Sequence, residues 1–503
     1  MDEIKILLKL FDSLKGKNHY QPDNKVALLE KIIRTHPEKS DEELKSILFS
    51  KKKNNNYFGV LKSRLQQDLF NRILIESGKK ENISNRLNQL FDIQRKFIIA
   101  SILNEKNERA LFIKIMEKLY KQSVKWEYTL YSMLISKNLY AHYAFYEPNK
   151  YKMHLYKEAF KQNEKLLVLE NRIYTINAEI SHVYQLNRSG FVHKNLEFLK
   201  DYMDEVIQIH HKSDVYAIKI FTYDLIAFYY LILKDYDKVI NIAEEGKIYF
   251  NSKPFSDNRA TVNNNLNIIN AYIYKNELET ALHYVTETLQ IINSGTRIWN
   301  RLKSFEFIIY TLKKEYENLY SVYLETKPKI KLDLEKEEWH IRSGYIHFLI
   351  RVGKIPEQLV EENKKDSFVL SRFLNSVPFY TKDKSGLNIS IIIIQILFYF
   401  LEKKWDKVLD KIDGLKQYSF RYLTKDESMR SNCFIKMIIA AEKANFNRQL
   451  TITYTKTLYE KMISSPYVLS ENSAFVEIIP YETLWELTLE LLSTGGNKRY
   501  YLR

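Results

Sequence analysis

Apolar residues recur at three- and four-residue steps along most of this chain, the period of a helix that buries one face. Between Glu3 and Leu14 they are Ile4, Leu7, Leu8, Leu10 and Phe11, which predicts a short amphipathic helix. A second covers Asn24–Arg34, and His36-Pro37 closes it because proline disfavours helix in the residue before it. Ser40-Asp41-Glu42-Glu43 has the spacing of a capping box and opens a third helix that reaches Phe49. Residues 51–56, three lysines and three asparagines, read as a polar turn. From Tyr57 to Ile75 a longer helix carries Leu61, Leu65, Leu69 and Ile73 at four-residue steps, and Ser77-Gly78-Lys79-Lys80 ends it. Three short helices with a basic turn before the last one imitate a helix-turn-helix DNA reader. The last helix, however, shows few Arg, Asn or Gln positions on one exposed face, so an N-terminal packing module for a helical array is the expectation.

From about residue 96 the pattern becomes helix, short turn, helix, repeatedly, and self-similar segments emerge. In the first, Tyr223, Ile226, Ala227 and Tyr230 share a helix face; Asp235-Tyr236-Asp237 turns the chain; Val239, Ala243 and Gly246 come next on a second helix, with Pro254 beyond it. In the second, Ile268, Ile269 and Tyr272 precede Ala281, Val285 and Thr288. In the third, Tyr310 precedes Tyr316, Leu319, Tyr323 and Thr326. In the fourth, Ile392, Ile396 and Tyr399 precede Trp405, Val408, Ile412 and Leu415. A tyrosine on one helix and small or aliphatic residues on the next allow the two to pack closely.

At these positions the chain resembles the tetratricopeptide repeat, a helix-turn-helix of about 34 residues. It departs from that family in spacing, since Val239 and Ala281 lie 42 residues apart. The resemblance implies an all-α fold in which antiparallel helix pairs stack into an α-solenoid. The expected organisation is an N-terminal helical module over 1–95, a repeat array over 96–440, and a helical cap with a basic tail over 441–503. Two further blocks, Phe373–Pro378 with Lys382–Asn388 and Arg421–Leu423 with Lys425–Glu427 and Arg430–Phe434, resemble uncharacterised tetratricopeptide-like proteins of Bacteroidetes. That group implies the architecture and no activity.

Composition narrows the options. The 503 residues include 12 Gly and 9 Pro, about 2.4% and 1.8% where about 7% and 5% are usual, which argues against turn-dense β folds. Phosphate-cradling loops are hard to build from so few glycines, because they need several close together. Cys433 is the single cysteine, so an intrachain disulfide is excluded. The opening Met1-Asp2-Glu3 lacks the basic and apolar parts of a secretory signal, and Gln395 interrupts the longest apolar run, Ile391–Leu401. A cytoplasmic protein is the expectation. The net charge is +15, and residues 1–80 hold 17 basic against 11 acidic residues, a bias that permits weak attraction to polyanions.

Enzyme chemistry leaves little trace. The glycine-rich nucleotide loops and the Gly-x-Ser-x-Gly elbow are absent, and no His-x-x-x-His pair marks a helical zinc site. His210-His211 with Asp214 reads as a solvated helix end, and Cys433 as a small buried hydrophobe. No catalytic residue, metal site or cofactor is expected. One polar pattern stands out: Asn263, Asn267, Asn270 and Tyr274, spaced four, three and four, share one helix face. The repeat resemblance implies that this face lines a concave groove where a peptide is held, with Asp224 on the preceding first helix and Arg301 on the following one beside it. Amides both donate to and accept from a peptide backbone. A protein or peptide partner is therefore the first expectation, and the partner's identity and the oligomeric state are not legible. The second is a nucleic-acid-associated regulator that uses residues 24–80 with Lys498, Arg499 and Arg503.

Overall fold

A computed structural model describes residues 2–13, 24–49, 55–76, 85–186, 191–255, 258–356, 358–359, 368–376, 387–422, 429–465 and 477–492. Among them every regular element is helical. The predicted turn at 51–54, the helix end at 77–80, residues 377–386 and 423–428 of the two resemblance blocks, and Lys498, Arg499 and Arg503 lie outside the described residues. No helix among the described residues is long and apolar enough to cross a membrane.

The chain divides into two compact units. The first comprises Met1–Asn171 with Val215–Ala217 and Phe250–Asn258. Its helices are α1 (Asp2–Ser13), α2 (Asn24–Thr35), α3 (Asp41–Leu48), α4 (Asn55–Glu76), α5 (Asn85–Glu105), α6 (Arg109–Lys125), α7 (Thr129–Phe145) and the first part of α8 (Lys150–Leu186). The capping box at the start of α3 is present: Ser40 N donates to Glu43 Oε2 at 2.7 Å and Glu43 N to Ser40 Oγ at 3.4 Å. Asn55 and Asn56, expected in the turn before α4, already belong to that helix. Leu61, Leu65 and Leu69 are fully buried in a core with Ile4, Leu8, Phe11, Val26, Leu29, Ile33 and Leu44. Helices α5 to α8 enclose a separate core of Ile93, Phe112, Met116, Leu119, Ile135, Leu139, Tyr143 and Tyr156.

The second unit holds the rest of α8 and the chain beyond it, apart from the two short segments assigned to the first. Its helices are α9 (Phe191–Lys212), α10 (Tyr216–Ile232), α11 (Tyr236–Asn251), α12 (Asn258–Tyr274), α13 (Leu278–Gln290), α14 (Arg297–Leu312), α15 (Tyr316–Thr326), α16 (Asp333–Arg351), α17 (Leu370–Ser376), α18 (Leu387–Leu401), α19 (Trp405–Tyr422), α20 (Met429–Lys443), α21 (Arg448–Ile463) and α22 (Tyr481–Leu491). The pairs α10/α11, α12/α13, α14/α15 and α18/α19 coincide with the four self-similar segments, and each pair is joined by three residues.

These joints share one backbone geometry, and it explains the repeated tyrosine. The carbonyls of Tyr230, Tyr272, Tyr310 and Tyr399 accept from the amides five residues on, at 3.0, 2.9, 3.0 and 2.9 Å. The intervening Lys234, Asn276, Lys314 and Lys403 sit in the left-handed region, at φ of 60°, 60°, 57° and 53°. This is the helix-ending turn that most chains make with glycine. Here lysine or asparagine takes the place, which accounts in part for the low glycine content. Beyond α13 the core is continuous from Phe307 through Tyr323, Trp339, Phe348, Ile396, Phe400, Val408, Ile412, Phe434 and Ile438 to Tyr481 and Trp485. Cys433 lies within it, and burial pushes its thiol above the usual range.

Candidate functional site

Helix α12 is buried on two sides. Leu266, Ile269 and Ile273 pack with Ala281, Val285, Leu302 and Ile309, while Ala271 meets Ala227 and Val239. The asparagines between these stripes divide by position. Asn265 is buried, and its Nδ2 donates to Thr288 Oγ1 at 3.0 Å. Asn264 is buried against Gly246 of α11, where a Cβ would stand 2.8 Å from Asn264 Oδ1. A larger residue at 246 would have to displace the Asn264 side chain. The remaining face carries Asn263, Asn267, Asn270 and Tyr274, all half-buried.

Asn267 Nδ2 donates to Asp224 Oδ1 of α10 at 3.2 Å, so two of the six predicted strip residues meet directly. Burial pushes the Asp224 carboxyl above the usual carboxylate range, opposed by the Asn267 hydrogen bond and by the field of Arg301. Arg301 is exposed on α14, its guanidinium 5.7 Å from the centre of the Phe305 ring. Among the described residues the side chains of Asn263 and Asn270 have no hydrogen-bond partner. Tyr274 is drawn elsewhere: its ring stacks on Tyr236 of α11, centroids 5.1 Å apart and planes within 5°. Its place is in packing between helix pairs.

The polar row continues onto α16 through residues that sequence reasoning missed. Ser304, one turn beyond Arg301, accepts from Arg342 Nη1 at 2.8 Å and donates to Glu338 Oε1 at 3.3 Å. Arg342 is almost fully buried, paired with Glu338 and lying over the rings of Trp339 and Phe307. Trp339 Nε1 donates to Asn300 Oδ1 at 2.7 Å. Asn300 also hydrogen-bonds the half-buried Glu335, whose carboxyl burial raises against that bond. Glu335, Glu338 and Arg342 are spaced three and four, a one-face signal as plain as that of the asparagines, but charges at helical spacing usually mark a solvated face.

Other readings change with the structure. His210 is not a solvated helix end: it is buried, with Nδ1 2.9 Å from Thr222 Oγ1. Lys219 Nζ approaches His210 Nε2 at 3.4 Å and donates to its carbonyl at 2.9 Å. An ammonium has only hydrogens to offer, so Nε2 is the accepting nitrogen and the ring proton sits on Nδ1. Burial, with Lys219 and His211 adding, lowers the His210 pKa to about 4. Among the described residues no three His, Cys, Asp or Glu side chains gather as a metal site would need. In the N-terminal helices, Arg34 pairs with Asp12 and Glu30, Lys62 with Asp41, and the buried Arg72 with Glu30 and Asp68.

No protein-family model and no curated protein matches the chain. Among solved structures, that of selenomethionine phAimR aligns over 71% of this chain and 87% of its own, at 13% identity and a TM-score of 0.37. A likeness that loose decides nothing about this protein.

Proposed function

We propose that this protein is a non-enzymatic scaffold that holds a peptide or protein segment along the first helices of its tetratricopeptide-like pairs. The reading rests on one observation: half-buried polar side chains run from Asp224 on α10 through Asn263, Asn267 and Asn270 on α12 to Ser304 on α14 and Glu335 and Glu338 on α16. A row of amides and charges held by packed helices presents fixed hydrogen-bonding groups to an extended chain. On this reading the pairs stack as a solenoid over 96–440, with 1–95 as an N-terminal module and 441–503 as a cap, as in the Bacteroidetes proteins that the blocks near 373 and 421 resemble. The protein works in the cytoplasm.

The test is the double substitution Asn267→Ala with Asn270→Ala, titrated against a partner co-purified with the parent protein. Two lost hydrogen bonds of about 0.5–1.5 kcal/mol each weaken binding by roughly one to two orders of magnitude. Helicity stays at the parent's level, while the melting temperature falls modestly because Asn267→Ala removes the hydrogen bond to Asp224, a loss of about 1–3 kcal/mol. Unchanged affinity in a folded double mutant removes these residues from the site.

A further inference from the structure

The row from Asp224 to Glu338 has a polarity that the net charge of the chain does not foretell. Half-buried and buried carboxylates elsewhere in the second unit have cations in contact: Glu306 has Lys303, Glu338 has Arg342, and Glu477 has Arg430. Asp224 and Glu335 differ. Each is half-buried and hydrogen-bonded to a single asparagine, Asn267 or Asn300, and among the described residues neither has a cation within ion-pair distance. Arg301 and Arg297, which act on them through the field alone, are exposed side chains. The two carboxyls sit toward opposite ends of the row, on α10 and α16, with the amides of α12 between them. A half-withdrawn carboxylate without a counter-ion carries a desolvation cost that an incoming cation offsets. An incoming anion would raise that cost.

Resting on the scaffold reading, we propose that the row selects a basic segment, with lysine or arginine side chains meeting Asp224 and Glu335 and the backbone between them lying against Asn263, Asn267 and Asn270. Arginine suits both carboxyls because its planar fork offers paired donors. This preference runs against the charge of the protein, since a net +15 attracts acidic peptides from solution. Enrichment of basic peptides therefore cannot come from the overall field.

The experiment is selection of a displayed random heptapeptide library on the immobilised full chain, with sequencing of the retained pool. The parent protein enriches lysine and arginine over the input. The isosteric pair Asp224→Asn with Glu335→Gln, which keeps both asparagine hydrogen bonds, abolishes the enrichment. It also binds a selected basic heptapeptide about ten- to a hundredfold more weakly, the effect of losing hydrogen bonds to charged groups. Circular dichroism confirms that the pair folds, and each single substitution shows a share of the loss. A pool enriched in aspartate and glutamate, or one with no charge bias, overturns the basic preference and leaves the scaffold reading standing. Basic enrichment that survives in the double variant overturns the assignment to these two carboxyls. A pool indistinguishable from its input overturns both readings.

Discussion

His210 shows how burial turns an ordinary side chain into a stability determinant. Its ring is held neutral between Thr222 and Lys219, with a pKa of about 4 against 6.5 in the open chain. His211 and Asp214 are the other nearby charges, the first reinforcing the shift and the second opposing it. Because the folded value is the lower one, the contribution of this residue to stability is complete above pH 6.5. It is lost as the pH falls toward 4, when the unfolded chain takes up the proton first. A shift of this size corresponds to about 3 kcal/mol. Urea midpoints at pH 7 and pH 4.5 should therefore differ more for the parent than for His210→Gln. Equal pH dependence in the two proteins would refute the neutral, buried state.

At the scale of elements, the joints and their flanking aromatics carry the pairing of helices. Trp405 opens α19, is buried, and stacks on Phe446 with centroids 4.6 Å apart. Tyr399 ends α18 half-buried, its hydroxyl accepting from Gln395 at 2.9 Å. Trp405→Ala should cost about 3–5 kcal/mol and Tyr399→Ala less, roughly 1–3. Chemical denaturation measures both, and a Trp405→Ala protein that unfolds with the parent would contradict the packing. The turn between them contains Lys403 at a positive φ. Lys403→Gly should raise stability by about 0.5–1 kcal/mol, since relief of left-handed strain exceeds the added freedom of the unfolded chain. Lys403→Val should lower the melting temperature by the same reasoning. The reverse order would show that the joint does not hold this conformation in solution.

At the scale of the whole molecule, the excess of positive charge is the property most open to misreading. Arg34, Lys62 and Arg72, which the basic bias of residues 24–80 would assign to a polyanion, are engaged in ion pairs inside the N-terminal helices. Arg72 and Glu30 are both buried. Removing one partner of that buried pair costs about 3–5 kcal/mol, so Arg72 serves the fold, whereas the more exposed Arg34 and Lys62 pairs contribute about 0–1 kcal/mol. Retention on duplex DNA should consequently be weak at 150 mM salt, with a shallow dependence of affinity on salt. A steep slope, equivalent to six or more phosphate contacts, loses about three orders of magnitude between 50 and 200 mM. Fluorescence anisotropy across that range distinguishes the two, and the steep result would revive the nucleic-acid reading.

Local rules decided what could be read from the chain alone. Helices α1 to α4, the capping box at Ser40, the four self-similar pairs and the shared face of Asn263, Asn267, Asn270 and Tyr274 all arise from periods and caps within a few residues. Helical geometry makes neighbours of positions three and four apart, and sequence displays that spacing directly. Tertiary structure decided which of those polar residues face each other. Asn267 reaches Asp224 across 43 residues, while Tyr274 turns to Tyr236, and no spacing rule separates the two outcomes. It also brought in Ser304, Glu335, Glu338 and Arg342, and it buried His210, because burial depends on what packs from distant parts of the chain. The lysines and asparagines in the joints obey the same division. Their positions after each tyrosine are plain in the sequence, but their left-handed backbone appears only once the paired helices require the chain to reverse within three residues.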